Sequence, residues 1–161
     1  KKSVEELAQL KEAGLQILYV GMESGDDEVL RRVNKGETWE STRSALVKIR
    51  EAGLTSSVMV LNGLGGESLS RQHAINPATL CNETQPDYLS TLVVSFPQGE
   101  ERFREGFGDD FTPLSQQGLF EEIRLFLEHL ELDKTIFRSD HASNYLVLKG
   151  TLGRDKQKML D

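Results

Sequence analysis

Cysteine is almost missing from these 161 residues, with Cys81 standing alone. A lone thiol closes no internal disulfide, which fits a reducing, cytoplasmic setting. It also cannot supply a zinc site or an iron–sulfur cluster, each of which needs several donors. Three histidines, His73, His129 and His141, are too scattered for a zinc-ligand pattern. No apolar run approaches the ~20 residues of a membrane-spanning helix, so no membrane partner is expected. Lysine and arginine never gather into a run. Their 19 residues face 26 acidic ones, and the net charge of −7 argues against general nucleic-acid binding. There is no Gly-x-Ser-x-Gly elbow and no lysine after a glycine loop, which excludes an α/β-hydrolase nucleophile and a Walker phosphate site.

What the chain does have is a phrase used twice. Glu12-Ala13-Gly14-Leu15 leads through an apolar run into Gly21-Met22-Glu23-Ser24-Gly25, and Glu51-Ala52-Gly53-Leu54 leads through another into Asn62-Gly63-Leu64-Gly65-Gly66-Glu67. The spacing matches one helix-plus-strand unit: a helix ends on glycine, an apolar strand follows, and a polar, glycine-rich loop closes it. In parallel α/β folds such loops lie at the carboxyl ends of strands, where ligands bind.

Around this repeat the punctuation is regular. Ser3 with Glu6 forms a capping box, Asp26 caps a helix over 27–34, and Thr38 caps one over 39–52. Strands are expected over 16–21, 58–61 and 88–96. A helical stretch over 68–84 contains Pro77, which predicts a kink or break near Asn76. Residues 98–113 read as a long loop. Ser115 opens an amphipathic helix to about residue 130 with Leu114 and Leu119 as a hydrophobic staple, a short strand is expected over 135–137, and 138–150 reads as irregular before a last charged helix.

Three groups of residues could carry chemistry. Glu23 and Ser24, flanked by glycines, offer an acceptor pair suited to ribose hydroxyls or an amine, and Glu23 serves equally well as a cap for the next helix. The corner from Asn62 to Glu67 can present backbone groups to a flat heterocycle or make a tight strand-to-helix turn. His141-Ala142-Ser143-Asn144-Tyr145 is the densest polar group of the last third, and His141 and Asn144 are its candidate substrate contacts. His73 and His129 read as surface or helix-end residues, and Cys81 as a small buried hydrophobe.

These phrases resemble a known family. Gly21-Met22-Glu23-Ser24-Gly25-Asp26-Asp27-Glu28-Val29-Leu30 with Asn34-Lys35-Gly36 is similar to the fourth strand and following helix of radical S-adenosylmethionine (radical SAM) enzymes. Leu61-Asn62-Gly63-Leu64-Gly65-Gly66-Glu67 looks like their fifth-strand motif, and Gln85-Pro86-Asp87-Tyr88 leading into Leu92-Val93-Val94 like the entry to their sixth strand. Within the superfamily the chain looks closest to Fe–S oxidoreductases related to oxygen-independent coproporphyrinogen III oxidase. Phe96-Pro97-Gln98-Gly99 departs from the Pro-Gly-Thr-Pro usual after the sixth strand.

The resemblance implies an α/β fold: the second half of a partial (β/α)6 TIM-like barrel with parallel strands over 1–97, and a mostly helical C-terminal extension over 98–161. It implies an enzyme in which S-adenosylmethionine (SAM) and a [4Fe–4S] cluster support 5′-deoxyadenosyl-radical chemistry on an organic substrate. Glu23 and Ser24 would contact the ribose or methionine part of SAM, and the backbone of Asn62, Gly63 and Leu64 the adenine. The cluster-binding Cys-x3-Cys-x2-Cys loop does not occur here. A chain that opens on Lys1-Lys2-Ser3 and runs straight into a helix is expected to be a piece of a longer protein, inactive alone, whose upstream half is its natural partner. Its first strand would lack a neighbour, so the piece should self-associate. The competing classes are a βα-barrel ligand-binding module and an assembly domain, both without radical chemistry.

Overall fold

The computed structural model describes residues 2–161 except Gln98 and Asp109, with Arg102 as backbone only; Gln98 of the Phe96–Gly99 phrase therefore lies outside the described residues. The two repeated phrases fold identically. Helix α1 (Val4–Glu12) and helix α3 (Trp39–Glu51) each end on alanine followed by a glycine at positive φ, Gly14 at 108° and Gly53 at 70°. In each copy the glycine N–H donates to the carbonyl three residues back at 2.9 Å, and the following leucine donates five back at 3.0 Å. This is the Schellman closure, which only glycine adopts without strain. Strands β1 (Ile17–Glu23) and β2 (Thr55–Asn62) leave these two turns side by side and parallel, from Ile17 opposite Thr55 onward.

Helix α2 (Asp27–Arg32) starts on Asp26, whose carboxylate accepts from Val29 N at 2.9 Å. Helix α4 (Gly66–Thr84) follows β2, strand β3 (Tyr88–Val93) pairs parallel with β2, and β4 (Ile136–Ser139) pairs parallel with β3. Between them lie α5 (Glu101–Phe107) and α6 (Gln116–His129), the latter capped by Ser115 as expected. Strand β5 (Leu148–Thr151) runs antiparallel to β4, and α7 (Leu152–Leu160) ends the chain. The sheet order is β1-β2-β3-β4-β5. The expected α/β class holds, as a five-stranded, mostly parallel sheet, and that sheet runs on unbroken from residues before 97 to residues after it.

Burial along β2 alternates strictly, with Ser56, Val58, Val60 and Asn62 turned inward. That side packs under the helices, where Leu46, Ile49, Ala74, Ala78, Leu80, Ile123, Phe126 and Leu127 join Val58, Val60, Leu89 and Phe137 in one core. The other face of the sheet is open, and Tyr19 on it is 79% exposed.

Four expectations need correction. Pro77 does not break its helix: α4 is continuous from Gly66 to Thr84, and Pro77 is wholly buried against Gly25. Residues 98–113 are not all loop, because Phe103 and Phe107 stack at 5.3 Å on α5 and meet Phe111 at 4.6 and 4.9 Å, an aromatic cluster that anchors a short helix. The third strand stops at Val93 rather than at residue 96, and its neighbour begins at Ile136, not Thr135. The stretch 138–150 contains the start of β5, which pairs Leu148 with Ser139.

Candidate functional site

Both glycine-rich corners lie at the carboxyl ends of adjacent strands. β1 is bulged there: Gly21 faces Met59 but Glu23 faces Val60, so Met22 is the extra residue and Glu23 takes a φ of 61°. A bulge re-aims the side chain that follows it. Met22 turns into the core at 1% exposure, while the Glu23 carboxylate folds back over Gly21. A Cβ at Gly21 would stand 2.5 Å from Glu23 Oε1, so glycine is what leaves room for the carboxylate. Glu23 Oε1 accepts from Lys35 Nζ at 3.0 Å. Glu23 does not cap α2; Asp26 does, and Asp26 is further held by Gln72 Nε2 at 3.0 Å and Asn76 Nδ2 at 2.6 Å.

Ser24 is fully buried and turned toward α4, where its Oγ lies 2.8 Å from His73 Nδ1. His73 Nε2 lies 2.7 Å from the Leu61 carbonyl at the end of β2. A carbonyl only accepts, so Nε2 carries the proton; in the neutral ring Nδ1 then accepts from the Ser24 hydroxyl. Ser24 Oγ in turn accepts from Asp26 N at 3.0 Å. His73, expected at the surface, is 1% exposed and ties the two corners together. Its partners are Ser24, 49 positions away just past β1, and the Leu61 carbonyl at the end of β2, a pairing that no local pattern reveals. His129 does sit exposed at the end of α6, its ring 2.8 Å from the Leu125 carbonyl.

At the second corner Gly63 takes a φ of 88°. Asn62 Nδ2 and Gly63 N both donate to Glu122 Oε1 of α6, at 2.7 and 2.6 Å, and Ser70 donates to Glu122 Oε2 at 2.5 Å. Leu64 is buried and its N–H donates to the Leu61 carbonyl at 3.3 Å. Sequence reasoning passed over Glu122, although a signal was present. Leu119, Glu122, Ile123 and Phe126 share one helical face, and a carboxylate on an apolar stripe has to find a partner.

His141 and Asn144 part company. His141 is exposed, its Nδ1 2.9 Å from Ser143 Oγ, beside a depression of about 550 Å³ on the open face shared with Tyr19, Gly21, Ser57, Ser90 and Arg138. Asn144 instead clamps the loop to β3, accepting from Val93 N at 2.8 Å and donating to the Thr91 carbonyl at 2.9 Å. Arg138 stacks over the Tyr88 ring at 5.8 Å. Cys81 is buried in α4, where desolvation pushes its thiol up to about 12, and no group of three or more His, Cys, Asp or Glu suited to a metal occurs among the described residues.

Two carboxyl-end corners thus lie on adjacent strands, one with a carboxylate brought over glycine and one with its Gly63 amide held by Glu122. The family model of the radical SAM superfamily matches residues 2–76, which span both corners. That match supports the radical SAM superfamily. A tRNA uridine(34) acetyltransferase of Methanocaldococcus infernus is 23% identical over 125 residues, 75% of this chain and 23% of that protein. The solved structure of Methanocaldococcus infernus Elp3, with its N-terminus deleted, superposes with a TM-score of 0.67 at 18% identity, covering 96% of this chain and 38% of that one. This likeness bears on the fold alone, an α/β arrangement of a mostly parallel sheet with helices, as in a partial TIM-like barrel. The chain thus spans well under half the length of both relatives. Neither relative is named as a coproporphyrinogen oxidase, so the finer subgroup expected from the motifs finds no support in them.

Proposed function

We propose that this chain forms the second half of a radical SAM barrel and contributes part of the SAM site of a longer enzyme. The observation that carries the reading is the β1 bulge, which sets the Glu23 carboxylate over Gly21 next to the backbone corner at Asn62–Leu64. Glu23 and the Asn62–Leu64 backbone would hold SAM, which beside a reduced [4Fe–4S] cluster would supply hydrogen-abstraction chemistry toward an organic substrate. This chain's residues fit SAM but not the cluster. One cysteine, buried and held as the thiol, is no cluster ligand, so the cluster thiolates belong to the other half of the barrel.

Glu23 would accept from the ribose hydroxyls or the amino group of SAM, and Lys35, donating at 3.0 Å, orients the carboxylate until then. The Gly63 corner would offer its backbone to the adenine edge. Ser24, spent on His73 and Asp26, acts by fixing the loop. His141, on the open face, is the nearest candidate for a substrate contact. We keep the reaction class at an oxidoreductase-type hydrogen abstraction. With β1 unpaired on one side, this chain alone would pair with a copy of itself in the cytoplasm-like conditions of a test tube.

The test is Glu23→Gln in the cluster-bearing full-length protein. Losing a charge-assisted hydrogen bond worth roughly 1.5–3 kcal/mol should weaken SAM binding about tenfold to a hundredfold with little change in Tm. A lower Tm with unchanged SAM affinity would return Glu23 to a structural pairing with Lys35.

A further inference from the structure

We infer that Glu122, a carboxylate on α6 far beyond the matched residues, is the positioning residue of the second ligand corner. Its side chain is 3% exposed, and among the described residues no lysine or arginine pairs with it. His73 is the one cationic candidate near it, with Nε2 at 3.9 Å, but that nitrogen is committed to the Leu61 carbonyl. The buried charge is held by three short hydrogen bonds from Asn62 Nδ2, Gly63 N and Ser70 Oγ. Two of the three come from the corner itself.

A buried charge is a poor choice for stability alone, because a well-packed apolar residue usually does as well. Ile123 and Phe126 flank position 122 and could pack against a leucine, which would leave Asn62 Nδ2, Gly63 N and Ser70 Oγ unpaired. What a leucine could not do is draw the Gly63 amide and the Asn62 side chain to one point and hold the backbone at positive φ. That fixes where the next peptide groups point. Ser70 and His73, one turn apart on α4, complete the device: Ser70 braces Glu122 and the second corner, His73 braces Ser24 and the first. Residues 98–161 then set the geometry of a site whose ligand-facing parts all lie earlier in the chain.

The ligand assignment rests on the proposed function; the placement of the corner does not, and two readouts separate them. In this chain, Glu122→Gln and Glu122→Leu should both move the Gly63 amide proton resonance and speed its hydrogen exchange; the global melt should stay within a few degrees for Glu122→Gln and fall for Glu122→Leu, which leaves three buried donors unpaired. In the cluster-bearing full-length protein both variants should bind SAM at least fivefold more weakly, Glu122→Gln with Tm nearly unchanged. A Gly63 amide unmoved in Glu122→Gln overturns the inference. So does a lowered Tm with unaltered SAM affinity, which would make Glu122 merely structural. Should Glu122→Leu not fold, Glu122→Gln decides alone. Should the unaltered protein bind no SAM, the proposed function falls, and the Gly63 amide still decides what Glu122 does.

Discussion

Gly25→Ala probes the contact on which both corners depend. A Cβ at Gly25 would stand 2.6 Å from Pro77 Cα, 2.7 Å from Pro77 N and 2.9 Å from Asn76 C. Ordinary contact begins near 3.4 Å, so α4 must retreat by about 0.8 Å. The obstructing atoms are backbone, and no rotamer change relieves them. Gly25 is not among the glycines with positive φ, so the objection is steric alone. Overpacking of this kind costs about 1–3 kcal/mol. The retreat also stretches the buried 2.8 Å bond between Ser24 and His73 past hydrogen-bond range, and leaving such groups unpaired adds about 1–3 kcal/mol. A combined loss of about 2–6 kcal/mol takes a large part of a native stability of about 5–15 kcal/mol. At about 2–4 °C per kcal/mol for this size, Tm should fall by roughly 4–24 °C. Gly118→Ala is the control. Its Cβ meets Leu114 Cδ2 at 3.2 Å, the end of a half-buried side chain that can turn aside. Inside α6 that change should be neutral or stabilise by about 0.5–1 kcal/mol. Thermal melts followed by circular dichroism decide between them, and a Gly25→Ala protein melting within about 2 °C of the parent refutes the reasoning.

Three further outcomes are expected. Thr91 Oγ1 is buried without a partner, so Thr91→Val should leave Tm unchanged or raise it by a few degrees; a clear fall would mean that the hydroxyl is hydrogen-bonded in solution, for which the small cavity beside Asn62, His73 and Glu122 has room. Cys81, its thiol pushed up to about 12 by burial, should resist alkylation in the folded chain at pH 8 and react only on unfolding. Because the folded value is the higher one, its contribution to stability is complete below about 9 and is lost as pH rises toward 12, which a pH series of melts of a Cys81→Ala comparison will show. Glu28, hydrogen-bonded by Arg31 and Arg32, is lowered to about 2; its stabilising pairing is present above about 4.5 and fades as pH falls toward 2, a midpoint that carbon NMR of the carboxyl group reads directly.

The local signals in the sequence were dependable where the physics is local. Ser3, Asp26, Thr38 and Ser115 cap the helices that they were expected to cap, and Gly14 and Gly53 close the two repeats. Pro77 failed as a breaker because the helix loses only one backbone bond there, and burial against Gly25, 52 positions earlier, outweighs it. The aromatics at 103, 107 and 111 already stood at helical spacing, yet glycines and acids around them hid α5. His73 looked like a surface residue since its partners, Ser24 and the Leu61 carbonyl, become neighbours only when two strands align. Of the candidate site, the two corners were legible; the struts behind them were not.

The buried polar groups of this fold sort by end of the sheet. At the amino ends, Asp87 accepts from Ser56 N at 2.8 Å, a staple between β2 and the loop beside it, and Thr135 donates to the Pro86 carbonyl, joining the loops that lead into β3 and β4. At the carboxyl ends the groups form a web instead: Ser24 to His73, His73 to Leu61, Asn62 and Gly63 to Glu122, Glu122 to Ser70. The middle of the sheet, through Val58, Val60, Leu89 and Phe137, is apolar. Staples satisfy the backbone locally and would serve in any α/β protein. A web that spans two helices and the end of β2 only to hold two loops has a different reason to exist, because apolar packing would stabilise those helices as well. Conformational precision at the carboxyl ends is what the web provides, and that is the edge of a parallel sheet where a ligand is met.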